Sequence, residues 1–542
     1  MLHSGNRPSA GLRQITRRML RPQWVFLSVS LVVMLFLAVL TPVAAGPDEP
    51  THLYRMQQIA DGHMLSQTVT ESWDSLDRTI GHAASEESKG ELTAQGGYVD
   101  SGFKEYVSTS YQIIRTQPNR RFAFPAWADS SLPPDSYSGR QTPAVFSNTA
   151  GNSPFLYLSQ VLGYKAASLI TNSVHWRVVS ARVAGVFLYC FALCLAVSLT
   201  PVGKWLFAVI GLLPGPMVVN SAVTADTMTM AVCVLFTALM LRLCFLQRYP
   251  STLELAGAGL LTVLLGFVKL TYFPLALLSC LPVILNRKLR TRRALAVLSA
   301  CFVVGCACFV AWYLTVDSIN SGLMFGRDTD PVRQKAFILS HPLYYCRLLV
   351  TLAARVDVLN VNSYNAVVDS RVIGHASWLA ILPLILTCYV AAREGARLVG
   401  KRRRHVAWTF LTLFALSFVL ICTALYMYWD VPGNSLSSGV QARYFLPVLP
   451  LLLLPVALLL SDVMAQPADS LRGSQTDAST DTMTEPGPKA SEENYSYGVR
   501  PRATRFAYLV LPMLAALCHL VLTAIMLSNM MNVYYGVTLL TA

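Results

Sequence analysis

The stretch Gly46-Pro47-Asp48-Glu49-Pro50-Thr51-His52-Leu53-Tyr54-Arg55 follows directly on an apolar run, Trp24 to Ala45, and its reading decides the fold. Pro50 suits the first turn of a helix, where its missing N–H costs nothing, and Gly62 suits the residue just past the end. Leu53, Met56 and Ala60 fall on one stripe of that helix. Asp48, Glu49, His52 and Arg55, at spacings of three and four, fall on another. Two carboxylates, an imidazole and a guanidinium at the end of an apolar run suit proton abstraction, or metal and phosphate binding. An N-cap followed by a solvated helical face explains the same residues, so the stretch alone leaves both readings open.

Outward from it, the chain is mostly apolar. Of 542 residues, 54% are hydrophobic and 13% charged, with a mean hydropathy of +0.47. Soluble proteins carry about a quarter charged residues, so the expected class is an all-α polytopic membrane protein. The net charge of +14 sits in short Lys/Arg clusters between apolar runs, the pattern that orients membrane proteins. No zinc-finger, Rossmann or P-loop pattern stands out, and no nucleic-acid partner is expected. The 12 cysteines lie almost entirely within apolar runs, and none falls in 46–177. Small apolar packing is their expected role, rather than a disulfide framework or a metal site.

Arg7, Arg13, Arg17, Arg18 and Arg21 precede the first run, which predicts a cytoplasmic N-terminus and a first span running outward. Residues 46–177 then form a large extracytoplasmic loop, whose middle, Glu71 to Gly151, reads as loop with short elements. The apolar stretch from Asn152 to Ile170 resembles a span. Counting it as one would put later basic loops on the wrong side, so it reads as a helix lying in or against the outer interface. Further spans are expected at about 178–200, 204–222, 225–246, 252–268, 270–285, 294–316, 374–392, 406–428, 443–463 and 506–529, making about 11 transmembrane helices. The basic loops 287–293 and 393–404 then both face the cytoplasm, and 317–373 is a second external segment. Residues 1–463 form the transmembrane domain, 464–503 a disordered cytoplasmic loop, and 504–542 a C-terminal transmembrane helix. No internal repeat is evident, which counts against an inverted-repeat transporter.

Under this topology the unusual polar groups gather on the outer side. Asp226 begins a span, and a first-turn or capping role explains it adequately. Lys269, in an apolar hairpin, either snorkels or meets a lipid phosphate. Ser437-Ser438-Gly439-Val440-Gln441-Ala442-Arg443-Tyr444-Phe445-Leu446-Pro447 puts Arg443 at the outer N-terminal end of a long helix. Guanidinium and helix dipole there favour a phosphate, although headgroup anchoring is the plainer role. Arg371 and His375 are weaker candidates.

Pro47-Asp48-Glu49-Pro50-Thr51-His52-Leu53-Tyr54-Arg55 together with Gly439-Val440-Gln441-Ala442-Arg443-Tyr444-Phe445-Leu446-Pro447 resembles the bacterial family of predicted membrane proteins called domain of unknown function 2142. The resemblance spans roughly residues 24–463, with Ala442 where the family pattern has Gly and a looser match at Gly374-His375-Ala376-Ser377-Trp378. That family in turn looks like the GT-C superfamily of membrane glycosyltransferases, which carry an acidic motif directly after span one, followed by an interfacial helix. The resemblance implies a polyprenyl-phosphate-linked sugar as donor and an envelope glycan, lipid or protein as acceptor, in a bacterial plasma membrane. It implies Asp48 as general base or metal ligand, with Glu49 assisting.

Expected catalytic residues are therefore Asp48, Glu49 and His52. Expected substrate-binding residues are Arg55, Asp226, Lys269, Gln441, Arg443 and Tyr444. A divalent cation bridging carboxylate and phosphate is a further option, for which Asp48 and Glu49 alone make a poor site. The competing classes are a transporter and a non-catalytic polyprenyl-lipid-binding scaffold for envelope polymer export.

Overall fold

A computed structural model of the chain describes residues 21–72, 91–117, 120–320, 329–355, 381–398, 400–437, 439–473 and 502–537. The first apolar run forms helix α1, Pro22–Leu40, which opens on a proline at its first position. A short helix α2, Glu49–Ala60, follows. Strands β1 (Gln67–Ser72) and β2 (Glu91–Asp100), helix α3 (Ser101–Thr116) and strand β3 (Gln141–Val145) come next. The strands form an antiparallel sheet in the order β1-β2-β3, with Val69 opposite Ala94 and Gly97 opposite Ala144. The segment expected to be loop with short elements thus contains a sheet and a 16-residue helix.

Two side-chain clusters hold this unit together. The Asp100 carboxylate accepts the N–H groups of Gly102 and Phe103 at 2.9 and 3.1 Å, capping α3, and those of Ser138 and Gly139 from the loop before β3. Lys104 donates to buried Glu71 at 2.6 Å, and the same carboxylate accepts from Val145 N–H at 2.8 Å. These contacts fix β3 and the loop before it. Helix α4, Leu158–Ser168, has 11 residues. At 1.5 Å per residue it is roughly 16 Å long, too short for a bilayer core of about 30 Å.

Then come α5 (Val174–Leu199), α6 (Lys204–Leu212), α7 (Pro214–Asn220), α8 (Asp226–Phe245) and α9 (Thr252–Leu264). A 3-10 helix, Leu270–Ser279, leads into α10 (Cys280–Leu285). The chain continues through α11 (Arg292–Asn320), α12 (Pro331–Ser340), α13 (Pro342–Arg355), α14 (Ile381–Gly395), α15 (Gly400–Trp429), α16 (Leu449–Gly473) and α17 (Arg502–Tyr535).

Among the described residues, seven helices are long and apolar enough to cross a membrane: α1, α5, α8, α11, α15, α16 with the turn before it, and α17. The pair α12 and α13, bent by 103°, makes an eighth if taken as one broken span. Three of the expected spans differ. Residues 204–222 are broken in two at Pro214, and 252–268 and 270–285 are shorter apolar helices. Pro274 lies inside Leu270–Ser279, where its missing N–H accompanies the 3-10 winding. A further expected span, 374–392, lies partly outside the described residues, and its described part belongs to a helix that begins at Ile381. Helix α16 runs on to Gly473, past the expected boundary at 463, and most of the expected loop 464–503 lies outside the described residues.

Helix α8 is the axis of the bundle: 89% of its apolar stretch is buried, against 17% for α11 at the periphery. A helix apolar all round belongs inside. The basic clusters Arg287–Arg293 and Lys401–Arg404 mark one end of α11 and α15. About 30 Å along α11 and about 40 Å along α15, Trp312 and Trp429 reach the end that carries the sheet unit.

Candidate functional site

At that end lies a cavity of about 290 Å³. Asp48 and His52 line it from the start of α2, and Ser147 to Ser153 from the polar turn after β3. Lys269 to Tyr272 enter where the 3-10 helix begins. Trp312 of α11 and Ile421 to Trp429 of α15 form an apolar and aromatic wall, and Arg443 and Tyr444 close it.

Asp48 stands just before α2 in the left-handed region, φ 53°. That conformation costs an L-residue about 1 kcal/mol and is best tolerated by Asp and Asn. Its carboxylate caps no helix N–H. It is instead ion-paired to Nη2 of Arg443, 395 residues along the chain. Burial pushes this carboxyl up, but the charge and hydrogen bond of Arg443 outweigh it, and the net position is below the ordinary aspartate range. Gly46 makes the approach possible. Any Cβ there would lie 2.4 Å from that of Ala222, and its N–H donates to Glu49 at 3.0 Å.

Arg443 is 4% exposed. Nη2 also donates to the Tyr444 hydroxyl at 3.2 Å, while Nε and Nη1 are buried with no hydrogen-bond partner among the described residues. Buried guanidinium donors are costly to leave unmade, so this side chain has unused capacity for an anion. It sits in a 3-10 turn, Ala442–Val448, that contains Pro447. Gly439 lets the incoming loop cross Trp429, whose ring a Cβ would meet at 2.5 Å.

A second ion pair lies beside the first. Asp226, the first residue of α8, binds Lys269 across the bundle instead of capping its own helix. The ammonium stands 5.3 Å from the centre of the Tyr444 ring, and the Arg443 guanidinium 5.1 Å from it. Tyr272 donates to the Tyr444 carbonyl at 2.7 Å and holds that turn in place. Of the two readings of Lys269, the structure adds a partnered cation at the cavity wall.

His52 lines the same cavity, with Nδ1 2.7 Å from the hydroxyl of Tyr157. Burial pushes the imidazole down to about 4, so it is neutral at pH 7. Asn152 donates to the Tyr157 hydroxyl at 3.1 Å. Arg55 does not face the cavity. It is fully buried and donates to Gln58, to the Met64 carbonyl at 2.7 Å and to the Asn152 carbonyl at 3.2 Å. It pins the polar turn to α2, as does Thr149, which donates to the Thr51 carbonyl at 3.1 Å.

Glu49 is also elsewhere. Its carboxylate is fully buried against Arg182, at 2.7 and 2.8 Å, and accepts Val223 N–H at 2.9 Å. Arg182 in turn donates to the carbonyls of Ala38, Thr41 and Pro42, tying α1, α2 and α5 together. Hence α2 is buried on every side, and the expected cluster of four divides: Asp48 and His52 face the cavity, Glu49 and Arg55 hold the scaffold. Gln441 is buried and outside the lining, while Tyr444 is in it. Arg371 and His375 lie outside the described residues. Among the described residues no three His, Cys, Asp or Glu side chains gather as a metal site. Asp48 and Glu49 point apart and do not share one.

The sequence reading missed Arg182, Tyr157 and Asn152. Arg182 had one signal, a lone charge in an apolar run, which demands a buried partner.

Residues 31–452 match the family model of predicted membrane proteins (DUF2142). The chain belongs to this family. The match runs from α1 into α16 and takes in both Asp48 and Arg443. No curated protein and no solved structure matches the chain. A multi-pass protein embedded in a lipid bilayer is what the family and the apolar helices together establish.

Proposed function

We propose that this DUF2142 protein is an inverting glycosyltransferase of GT-C type. It would take a sugar from a polyprenyl-phosphate donor and pass it to a cell-envelope acceptor on the outer face of a bacterial plasma membrane. In this reading the chain crosses the bilayer eleven times, with the short apolar helices 252–267 and 270–285 as crossings and the N-terminus in the cytoplasm. The observation that carries the proposal is Arg443, a buried guanidinium with two unused donors, paired to a carboxylate in a cavity that has both a polar and an apolar wall.

The donor's phosphate sits against Arg443 and Lys269, and its lipid chain runs along the wall of Trp312, Ile421 and Leu425. While Arg443 holds Asp48, the carboxylate is a weak base. A phosphate that takes Arg443 for itself releases Asp48 and raises its proton affinity. The acceptor oxygen then attacks the anomeric carbon from the face opposite the phosphate, and its proton goes to Asp48. The bond from that carbon to the phosphate oxygen breaks, and the phosphate leaves with the electron pair, stabilised by both cations. A transporter would place paired polar groups near the bilayer midplane, whereas these gather at one end of the bundle.

The test is complementation of a deletion strain with wild type or Asp48→Asn at matched membrane levels, followed by analysis of envelope glycans. Restoration by wild type alone supports a chemical role for Asp48. Equal restoration by both rejects it and favours the lipid-binding scaffold.

A further inference from the structure

We propose that His52 acts as a neutral hydrogen-bond donor, presenting Nε2–H to an anionic phosphoryl oxygen in the cavity, and that Tyr157 and Asn152 are the positioning residues that hold it in that tautomer. This deepens the phosphate-site reading above and rests on it.

The direction of the hydrogen-bond chain decides the tautomer. An amide nitrogen can only donate, so Asn152 Nδ2, 3.1 Å from the Tyr157 oxygen, uses that oxygen as an acceptor. The single phenolic proton is then directed to the other neighbour, His52 Nδ1, at 2.7 Å. Nδ1 must accept, and a neutral imidazole that accepts at Nδ1 carries its proton on Nε2. The backbone carbonyl of Asn152 accepts from the buried Arg55, which anchors the chain at the residue whose amide meets Tyr157.

The charged groups around the ring come from every side of the cavity: Asp48 before α2, Asp226 on α8, Lys269 at the 3-10 helix and Arg443 in its turn. Among the described residues, Tyr157 is the ring's only hydrogen-bond partner, so Nε2 remains for a ligand. Both cations are paired to carboxylates, so the pull on an anion comes from the donors Arg443 leaves unmade, and a neutral N–H adds direction without a further charge. With its lone pair turned to Tyr157, His52 has no basic nitrogen toward the cavity, which leaves the proton-accepting role to Asp48. Burial, which keeps the ring neutral down to about pH 4, agrees with this.

The experiment measures binding of farnesyl phosphate and of inorganic phosphate to the full chain in nanodiscs. Gln carries its amide nitrogen near the place of imidazole Nε2, and Asn near that of Nδ1. His52→Gln is expected to bind farnesyl phosphate within about three-fold of wild type, and His52→Asn and His52→Ala to bind ten- to a hundred-fold more weakly. Tighter binding of farnesyl phosphate than of inorganic phosphate assigns the ligand to a lipid. Equal binding assigns it to the phosphate group alone. In ¹⁵N spectra of histidine-labelled protein at pH 7, with His52 assigned by difference, Nε2 should be protonated and Nδ1 bare. Tyr157→Phe should mix the two tautomers without lowering expression. Equal weakening by Gln and Ala, or a protonated Nδ1 in wild type, overturns the proposal while leaving the phosphate site standing. No binding of either probe to wild type overturns the phosphate site, and the role of His52 with it.

Discussion

Asp48 and Arg443 are 395 residues apart in the chain and ion-paired in the fold, one at the entrance to a short helix and the other in a proline-containing turn. The pair is asymmetric. The aspartate side chain is 39% exposed and the arginine 3%. The carboxylate is thus the accessible and replaceable partner, and the guanidinium the buried one. A ligand phosphate competes for Arg443 against a half-exposed neighbour, which is a modest obstacle.

Arg443→Gln removes the buried cation. Farnesyl phosphate binding should fall ten- to a hundred-fold, because a charge-assisted contact is lost. Arg443→Lys keeps the charge but not the fork, and should recover only part of that loss. Isothermal titration in nanodiscs reads both. Equal affinities for Lys, Gln and Arg would remove Arg443 from the phosphate site.

Glu49→Gln should behave in the opposite way, affecting the fold and not the chemistry. It strips the partner from Arg182, whose side chain is fully buried, and a change of this kind costs about 3–5 kcal/mol. Thermal unfolding in detergent should move down sharply, while the folded fraction keeps its ligand affinity. Asp48→Asn, at a half-exposed position, should leave unfolding nearly unchanged.

The acid side of the stability profile should carry the signature of His52. Its folded position, about 4, is below the ordinary 6.5, so the unfolded chain binds the extra proton first. Stability from this group is complete above about pH 6.5 and is lost as pH falls from there toward 4, by up to about 3 kcal/mol. His52→Gln should flatten that part of the curve. A slope that survives the substitution belongs to another group.

Much of this was legible locally. Seven of the expected spans coincide with long apolar helices, and Asp48, Lys269 and Arg443 could each be singled out as ionisable groups beside apolar runs. What a single sequence withholds is pairing across distance. Spacings of three and four show which residues share a face of α2, but not that Glu49 faces Arg182 and Asp48 faces Arg443. The sheet was missed for the same reason. β1 is short, both β1 and β2 are largely polar, and the contacts that fix them, Glu71 to Lys104 and Val145, come from other elements.

Gly46→Ala tests how closely α2 must dock. The added Cβ has no room against Ala222 and would push Asp48 away from Arg443. Lower expression, and weaker ligand binding in what does fold, are expected. Wild-type behaviour in both would show that the turn gives way without moving the site.

The most direct measurement is the dissociation constant of farnesyl phosphate for Asp48→Asn beside wild type. If the carboxylate competes with the ligand phosphate for Arg443, its neutralisation should tighten binding about five-fold, corresponding to roughly 1 kcal/mol, although the same variant fails to restore envelope glycans. Unchanged or weaker binding by Asp48→Asn would contradict a base that the donor phosphate releases.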